Sequence, residues 1–107
     1  MNGSSKVTGC KDDVGKPRMG LLPFDALTEV AKVMTWGAEK YAPDNWKHVS
    51  AGTERYMDAL LRHVAAWQGG EVFDAEAGDK KIRHIAQVAT NALFLIWFEI
   101  QKEKSNE

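Results

Sequence analysis

Apolar positions recur at helical spacing in three stretches of the chain. From Pro23 onward, Leu27, Val30, Ala31, Met34 and Ala38 fall on one stripe, which predicts a first helix over about residues 23–40. Pro23 suits a first helical turn because its φ is already fixed near the helical value and its missing N–H is not needed there. Gly37 and Pro43 help to end the segment. Met57, Leu60, Leu61 and Val64 mark a second amphipathic helix that Thr53 can cap and that "QGG" at 68–70 stops. Asp79 can cap a third, long helix running to about residue 103. Its middle, residues 85–98, is apolar on nearly every side, more than two short neighbours can cover, so it is expected to bury a face against another subunit. No alternating strand pattern and no internal repeat competes with these helices. The expected fold is all-α: three main helices in a bundle completed by oligomerisation into a homodimer or homotetramer.

Residues 1–15, "MNGSSKVTGCKDDVG", are polar and lack periodicity, so they are read as a flexible N-terminal arm ahead of one domain over 16–107. A chain of 107 residues that is 44% hydrophobic and 27% charged is of ordinary single-domain composition. Formal net charge is −1, with the cations scattered, so no duplex nucleic acid is expected as a partner. Cys10 is the sole cysteine, which rules out an intrachain disulfide and a cysteine-based zinc site and fits a reducing cytoplasm. The longest apolar run, "ALFLIWF" at 92–98, is far short of the roughly 20 residues that cross a bilayer, and no signal-like h-region is present. No membrane is expected as a partner either.

Several polar groupings could carry chemistry. On helix one, Glu29 and Lys40 are eleven residues apart and return to nearly the same azimuth, together with Trp36. Helix two carries Arg55, Asp58, Arg62 and His63, where Asp58 and Arg62 also fit an ordinary surface ion pair. His84, Gln87 and Asn91 form a polar line on an otherwise apolar third helix. Such a line is either a self-satisfied core network or a set of groups that face an interior site and orient its acids. The loop "GEVFDAEAGD" gathers Glu71, Asp74, Glu76 and Asp79, which is either a solvated acidic turn or a set of hard oxygen ligands suited to Mg²⁺ or Mn²⁺. In "GAEKYAPDNWKHV", Lys40 can meet a phosphate and Asn45 and Trp46 can read or stack a base; the same stretch also reads as a helix stop with Trp46 plugging the core.

Four blocks in order, "KPRMGLLPFDAL", "EVAKVMTWGAEKYAPDNW", "RYMDALLRHVAAWQGGEVFDAEAG" and "HIAQVATNALFLIW", resemble the phage dATP/dGTP diphosphohydrolases, a MazG-like branch of the all-α nucleoside triphosphate pyrophosphohydrolases. The stretch "DKKIR" before His84 is longer than the family pattern. The resemblance implies a metal-dependent enzyme that splits a purine deoxynucleoside triphosphate, dGTP or dATP, into the monophosphate and pyrophosphate. It extends to the MazZ enzymes, which make dGMP in phages whose DNA carries 2-aminoadenine. Carried onto this chain, it implies Glu29, Asp58 and Glu71 as catalytic acids that hold Mg²⁺ or Mn²⁺ together with Asp74. Lys16, Arg18, Lys40 and Arg62 would grip phosphate, Asn45 and Trp46 the base, and His63, His84 and Asn91 would orient the acids. A rival class is a non-enzymatic phage adaptor that oligomerises through helix three and binds a partner protein with its aromatic corner.

Overall fold

Three α-helices carry the described chain, residues 9–106 of this computed structural model: α1 Phe24–Lys40, α2 Gly52–Gln68 and α3 His84–Ser105. Short 3-10 segments lie at Met19–Leu21, Asn45–His48 and Ala75–Lys80. Among the described residues there is no strand, only one isolated antiparallel bridge between Phe73 and Arg83, so the all-α expectation holds. Both α1 and α2 pack on α3, with α2 forming the more extensive contact. Residues 1–8 of the expected arm fall outside the described residues, and residues 9–15 are exposed.

The helix ends differ from the sequence reading in instructive ways. Pro23 is the N-cap of α1 and not part of its first turn, and Gly37 lies inside the helix, which closes when the Tyr41 N–H donates to the Gly37 carbonyl at 3.0 Å. Pro43 and the left-handed Asp44, φ 65°, then stop it. Thr53 does not cap α2: the helix starts one residue earlier, after a left-handed Ala51 at φ 54°, with no side-chain cap. Gly52 lets the helix start close against Phe98, whose ring a Cβ would meet at a tight 3.2 Å.

Asp79 does not cap α3 either. It sits in the 3-10 segment, and the helix begins at His84 after Arg83. Two backbone bonds explain the delay: Asp74 N–H donates to the Ile82 carbonyl at 2.7 Å, and His84 N–H to the Val72 carbonyl at 2.9 Å. These close residues 74–82 into a clasp, helped by left-handed Lys81 and by Gly78 at φ 61°, and they bury Ala77 and Ile82 beneath it. The acidic stretch is therefore folded back onto the start of α3.

Packing divides into two centres along α3. Val30, Ala77, Ile82, Ala86 and Thr90 form a small buried core near its N-terminus. Towards its C-terminus the interior is aromatic. Trp46 stacks on Phe94 at 4.2 Å between ring centroids and meets Trp97 edge-on at 5.0 Å, while the Tyr56 hydroxyl donates to the Trp46 carbonyl at 3.0 Å. Together they pin the Asn45–His48 turn to α2 and α3.

The single chain leaves much apolar surface uncovered. Its radius of gyration is 19.3 Å, against roughly 13 Å for a compact domain of about 100 residues. Ile85, Leu93, Ile96 and Ile100 form an exposed stripe at helical spacing along α3, with Ile96 50% exposed, and Met57 and Leu61 are exposed on α2.

Trp46→Ala is expected to destabilise the fold towards the lower end of the about 3 to 5 kcal/mol typical of removing a large aromatic core side chain, because the ring is only half-buried. Trp46→Phe, which retains a ring to stack on Phe94, should cost clearly less. Urea unfolding followed by circular dichroism checks both; equal midpoints for wild type and Trp46→Ala would remove the ring from the core.

Candidate functional site

Two polar features meet on α2. The first is a buried cluster built where α2, the clasp and the start of α3 converge. His63 comes from α2, Glu71 and Asp74 from the connection, and His84, Gln87 and Asn91 from the first two turns of α3. The i, i+3, i+7 spacing of the last three puts them on one face of the helix. The clasp then lowers Asp74 onto that face, where the Gln87 side-chain amide donates to Asp74 Oδ2 at 2.8 Å and the Glu76 N–H donates to Oδ1 at 2.9 Å.

The imidazoles are in direct contact, with His63 Nδ1 2.8 Å from His84 Nδ1. His84 Nε2 lies 2.8 Å from Glu71 Oε1, and Glu71 Oε2 accepts from the Ala75 N–H at 3.2 Å. Since an ionised carboxylate only accepts, Glu71 fixes the His84 tautomer: Nε2 carries the proton and Nδ1 presents a lone pair towards His63. His84 is 5% exposed and Asp74 9%. Asn91 donates to the Gln87 carbonyl at 2.8 Å, and among the described residues its own Oδ1 has no hydrogen-bond donor.

Electrostatics follow the burial. Desolvation pushes the His63 pKa below its ordinary 6.5, and the neighbouring His84 adds to the effect. Burial acts to raise Asp74, yet the Gln87 amide, the Glu76 N–H and the two imidazoles outweigh it and hold the carboxyl below its ordinary 3.8. The cluster thus keeps a neutral imidazole beside an ionised carboxylate. Among the described residues His63, Asp74 and His84 form a grouping compact enough for a metal ion, their ligand atoms within 4.8 Å of one another. An ionised carboxylate and two imidazoles are a chemically reasonable donor set for a divalent ion.

The second feature is an open cleft of about 790 Å³ between the end of α1, the 41–50 connection and α2. Its walls include Tyr41, Asn45, Trp46 and Tyr56, with Arg55 and Arg62 as cations. Arg55, Ala59 and Arg62 line it at i, i+4 and i+7, and His63 of the cluster is the next residue along α2. The volume lies in the range of small-molecule sites, which run from about 300 to 1,000 Å³.

Of the residues singled out in the sequence, Glu71, Asp74, His63, His84 and Asn91 come together in or beside the cluster, and Asn45, Trp46 and Arg62 line the cleft. The others lie elsewhere. Glu29 is engaged by Lys32 at 3.1 Å and by Arg83 at 2.9 Å, and those two cations hold its carboxyl below the usual carboxylate value. Asp58 is exposed and makes no ion pair among the described residues, so the anticipated Asp58–Arg62 bridge is not formed. The Lys40 ammonium lies over the Trp36 ring, 3.9 Å from its centroid, and does not line the cleft. Lys16 and Arg18 are exposed and line neither feature. The sequence gives Tyr56 no site role, and it places Arg55 and Gln87 only in polar groupings, with no substrate contact assigned to either. The spacing of Arg55 two turns before Arg62 was the available signal for the former. Gln87 was visible in the polar line, but its partner Asp74 was not.

Residues 6–107 match the family described as dATP/dGTP diphosphohydrolase, N-terminal. A curated relative, the dATP/dGTP diphosphohydrolase of Salmonella phage PMBT28, is 32% identical over 101 residues, covering 94% of this chain and 33% of the relative. The chain therefore spans about a third of the length of the curated relative it matches. No solved structure matches the chain.

In the metal-free protein the cluster should make stability fall on acidification. With its native pKa below 6.5, His63 binds a proton more readily in the unfolded chain, so stability declines as pH drops below about 6.5. Asp74 adds a second loss further down, its contribution being present above 3.8 and lost as pH falls through the lower native value. Urea midpoints measured in EDTA from about pH 7.5 to 3 are expected to show both declines, and His63→Gln should flatten only the upper one.

Proposed function

The chain belongs to the dATP/dGTP diphosphohydrolase N-terminal family, and from that premise we propose that it hydrolyses a purine deoxynucleoside triphosphate, dGTP or dATP, to the monophosphate and pyrophosphate. The supporting observation is the juxtaposition on α2 of a nucleotide-sized cleft bearing two arginines with a cluster bearing two carboxylates and two imidazoles. A triphosphate needs both: cations for the leaving pyrophosphate and an acceptor for the proton of the attacking water.

In this reading the cleft takes the nucleoside. Tyr41, Tyr56 and Trp46 offer ring surface, although Trp46 already spends one face on Phe94, and the exposed Asn45 amide can donate and accept at a base edge. Arg55 and Arg62, the cations that line the cleft, hold phosphate oxygens. Water attacks the α phosphorus, the bond to the bridging oxygen breaks, pyrophosphate leaves, and the water proton passes to a carboxylate. Glu71 suits this role because it is accessible and its His84 contact keeps it oriented. A divalent ion, Mg²⁺ or Mn²⁺, held beside Asp74 would supply charge neutralisation and water activation. Glu29 is engaged by two cations and Asp58 is exposed, and neither has a part in the reacting centre in this reading.

We further read the exposed stripe on α3 as the face that joins copies of the chain into a homodimer or homotetramer, since Ile85, Leu93, Ile96 and Ile100 are otherwise left in water. A role in supplying dGMP to 2-aminoadenine DNA synthesis would require preference for dGTP.

Incubating the purified protein with each deoxynucleoside triphosphate and Mg²⁺ or Mn²⁺ should release monophosphate and pyrophosphate from dGTP or dATP. Unaltered nucleotides throughout would favour the adaptor. Glu71→Gln should lose activity while keeping its unfolding midpoint, Arg62→Ala should chiefly raise KM, and Asn45→Ala should narrow the preference between the two purines. Ile96→Glu is expected to lower the mass found by light scattering to that of one chain, and an unchanged mass would take the stripe out of the interface.

A further inference from the structure

We propose that His63 and His84 are direct nitrogen ligands, with Asp74, of a first-row transition ion, and that the metal of this site is therefore of the Mn²⁺-to-Zn²⁺ class and not Mg²⁺. The inference rests on the proposed function and narrows it, because it names the donors of the ion that the reaction would use and, of the two ions named there, keeps Mn²⁺ and drops Mg²⁺. Its grounds lie in the geometry of the cluster.

The first ground is spacing. Two imidazole nitrogens bound to one ion at about 2.1 Å and at right angles stand about 3 Å apart. Here the two Nδ1 atoms are 2.8 Å apart across a hydrogen bond, close to that span, so an ion bound to both would take the place of the shared proton. Asp74 supplies an oxygen within 4.8 Å of both, so small side-chain motions close a three-donor face. Two imidazoles and one carboxylate leave the remaining positions open to water or phosphate oxygen.

The second ground is orientation. A metal-binding imidazole commonly donates its other N–H to a carboxylate, which sets the tautomer and strengthens the free nitrogen as a ligand. His84 has this arrangement, with Nε2 on Glu71 and Nδ1 aimed into the cluster. Gln87 does the equivalent for Asp74, holding Oδ2 at 2.8 Å. Glu71 is thereby a positioning residue for the metal site as well as the proton acceptor of the proposed reaction.

The third ground is hardness. Mg²⁺ prefers an all-oxygen shell of near-octahedral shape and gives up water reluctantly, whereas Mn²⁺, Fe²⁺, Co²⁺, Ni²⁺ and Zn²⁺ accept imidazole. Among the described residues the remaining carboxylates do not assemble an oxygen cage in its place: Glu29 is engaged by two cations, and Asp58 is exposed and outside the grouping.

Co²⁺ added to the chelator-stripped 107-residue chain is the direct probe, because its visible absorption reports ligand type. The expected result is a saturable band at one ion per chain, displaced by Zn²⁺ or Ni²⁺ but not by a hundredfold excess of Mg²⁺, with a parallel rise in thermal midpoint. His63→Gln should weaken Co²⁺ binding at least tenfold. Should His84→Gln fail to fold, Glu71→Gln leaves both rings in place and is expected to weaken binding about 10- to 100-fold through lost orientation. No saturable band, equal competition by Mg²⁺, or wild-type Co²⁺ affinity in His63→Gln would each overturn the proposal. Saturable binding in a protein that hydrolyses no nucleotide would refute the reaction and leave the metal site standing.

Discussion

A carboxylate brought out of water must be given partners, and the arrangement around Asp74 is the constraint on which much of this molecule turns. Gln87 and the Glu76 N–H answer it directly, and two imidazoles add their share. Meeting that demand requires the chain to fold back after α2, form two backbone bonds to the segment before α3, and place the clasp over the first turns of that helix. Breaking the Asp74–Gln87 bond would leave two buried polar groups unsatisfied at about 1 to 3 kcal/mol each and would loosen the same contact that seats Ala77 and Ile82. Local stability and functional geometry are thus supplied by one interaction.

The fold was largely legible because the three helices rest on periodicity, and periodicity is a local property of sequence. The starts of α1 and α2 follow from it within one residue, but the capping residues and the start of α3 do not. Thr53 and Asp79 are residue types that cap helices well, yet α2 begins after a left-handed Ala51 with no side-chain cap, and α3 begins where the clasp releases the chain. The start of α3 depends on backbone bonds from residues 74 and 84 to 82 and 72 across the clasp. The same division holds at the candidate site. The polar line His84, Gln87, Asn91 and the acids of the loop could be read separately, whereas the His63–His84 contact spans 21 residues and has no local signature. Lys40 stands apart from both: the ammonium expected to meet a phosphate lies over the ring of Trp36, one turn back.

Residue types are also distributed by task along α3. Its first two turns carry small and polar side chains that let the clasp and α2 approach closely; its later turns carry Phe94, Trp97 and Phe98, which lock the Asn45–His48 turn in place. The turn forms one wall of the cleft, and α2 connects cleft to cluster. One rigid helix therefore sets the position of both features, one through hydrogen bonds and the other through ring packing.

The clasp has a consequence for how such chains can vary. Its base is fixed by the bonds at residues 74 and 82 and at 72 and 84, while Gly78, Asp79 and Lys80 are exposed at its tip. Closure entropy grows only with the logarithm of loop length, so that even doubling the loop costs about 0.6 kcal/mol. Residues added between Gly78 and Lys80 can therefore be absorbed while Asp74 and His84 stay in register. Insertions and deletions at the tip are nearly neutral variation, available for drift or for new surface contacts, while a single-residue change at the base would shift every donor in the cluster at once.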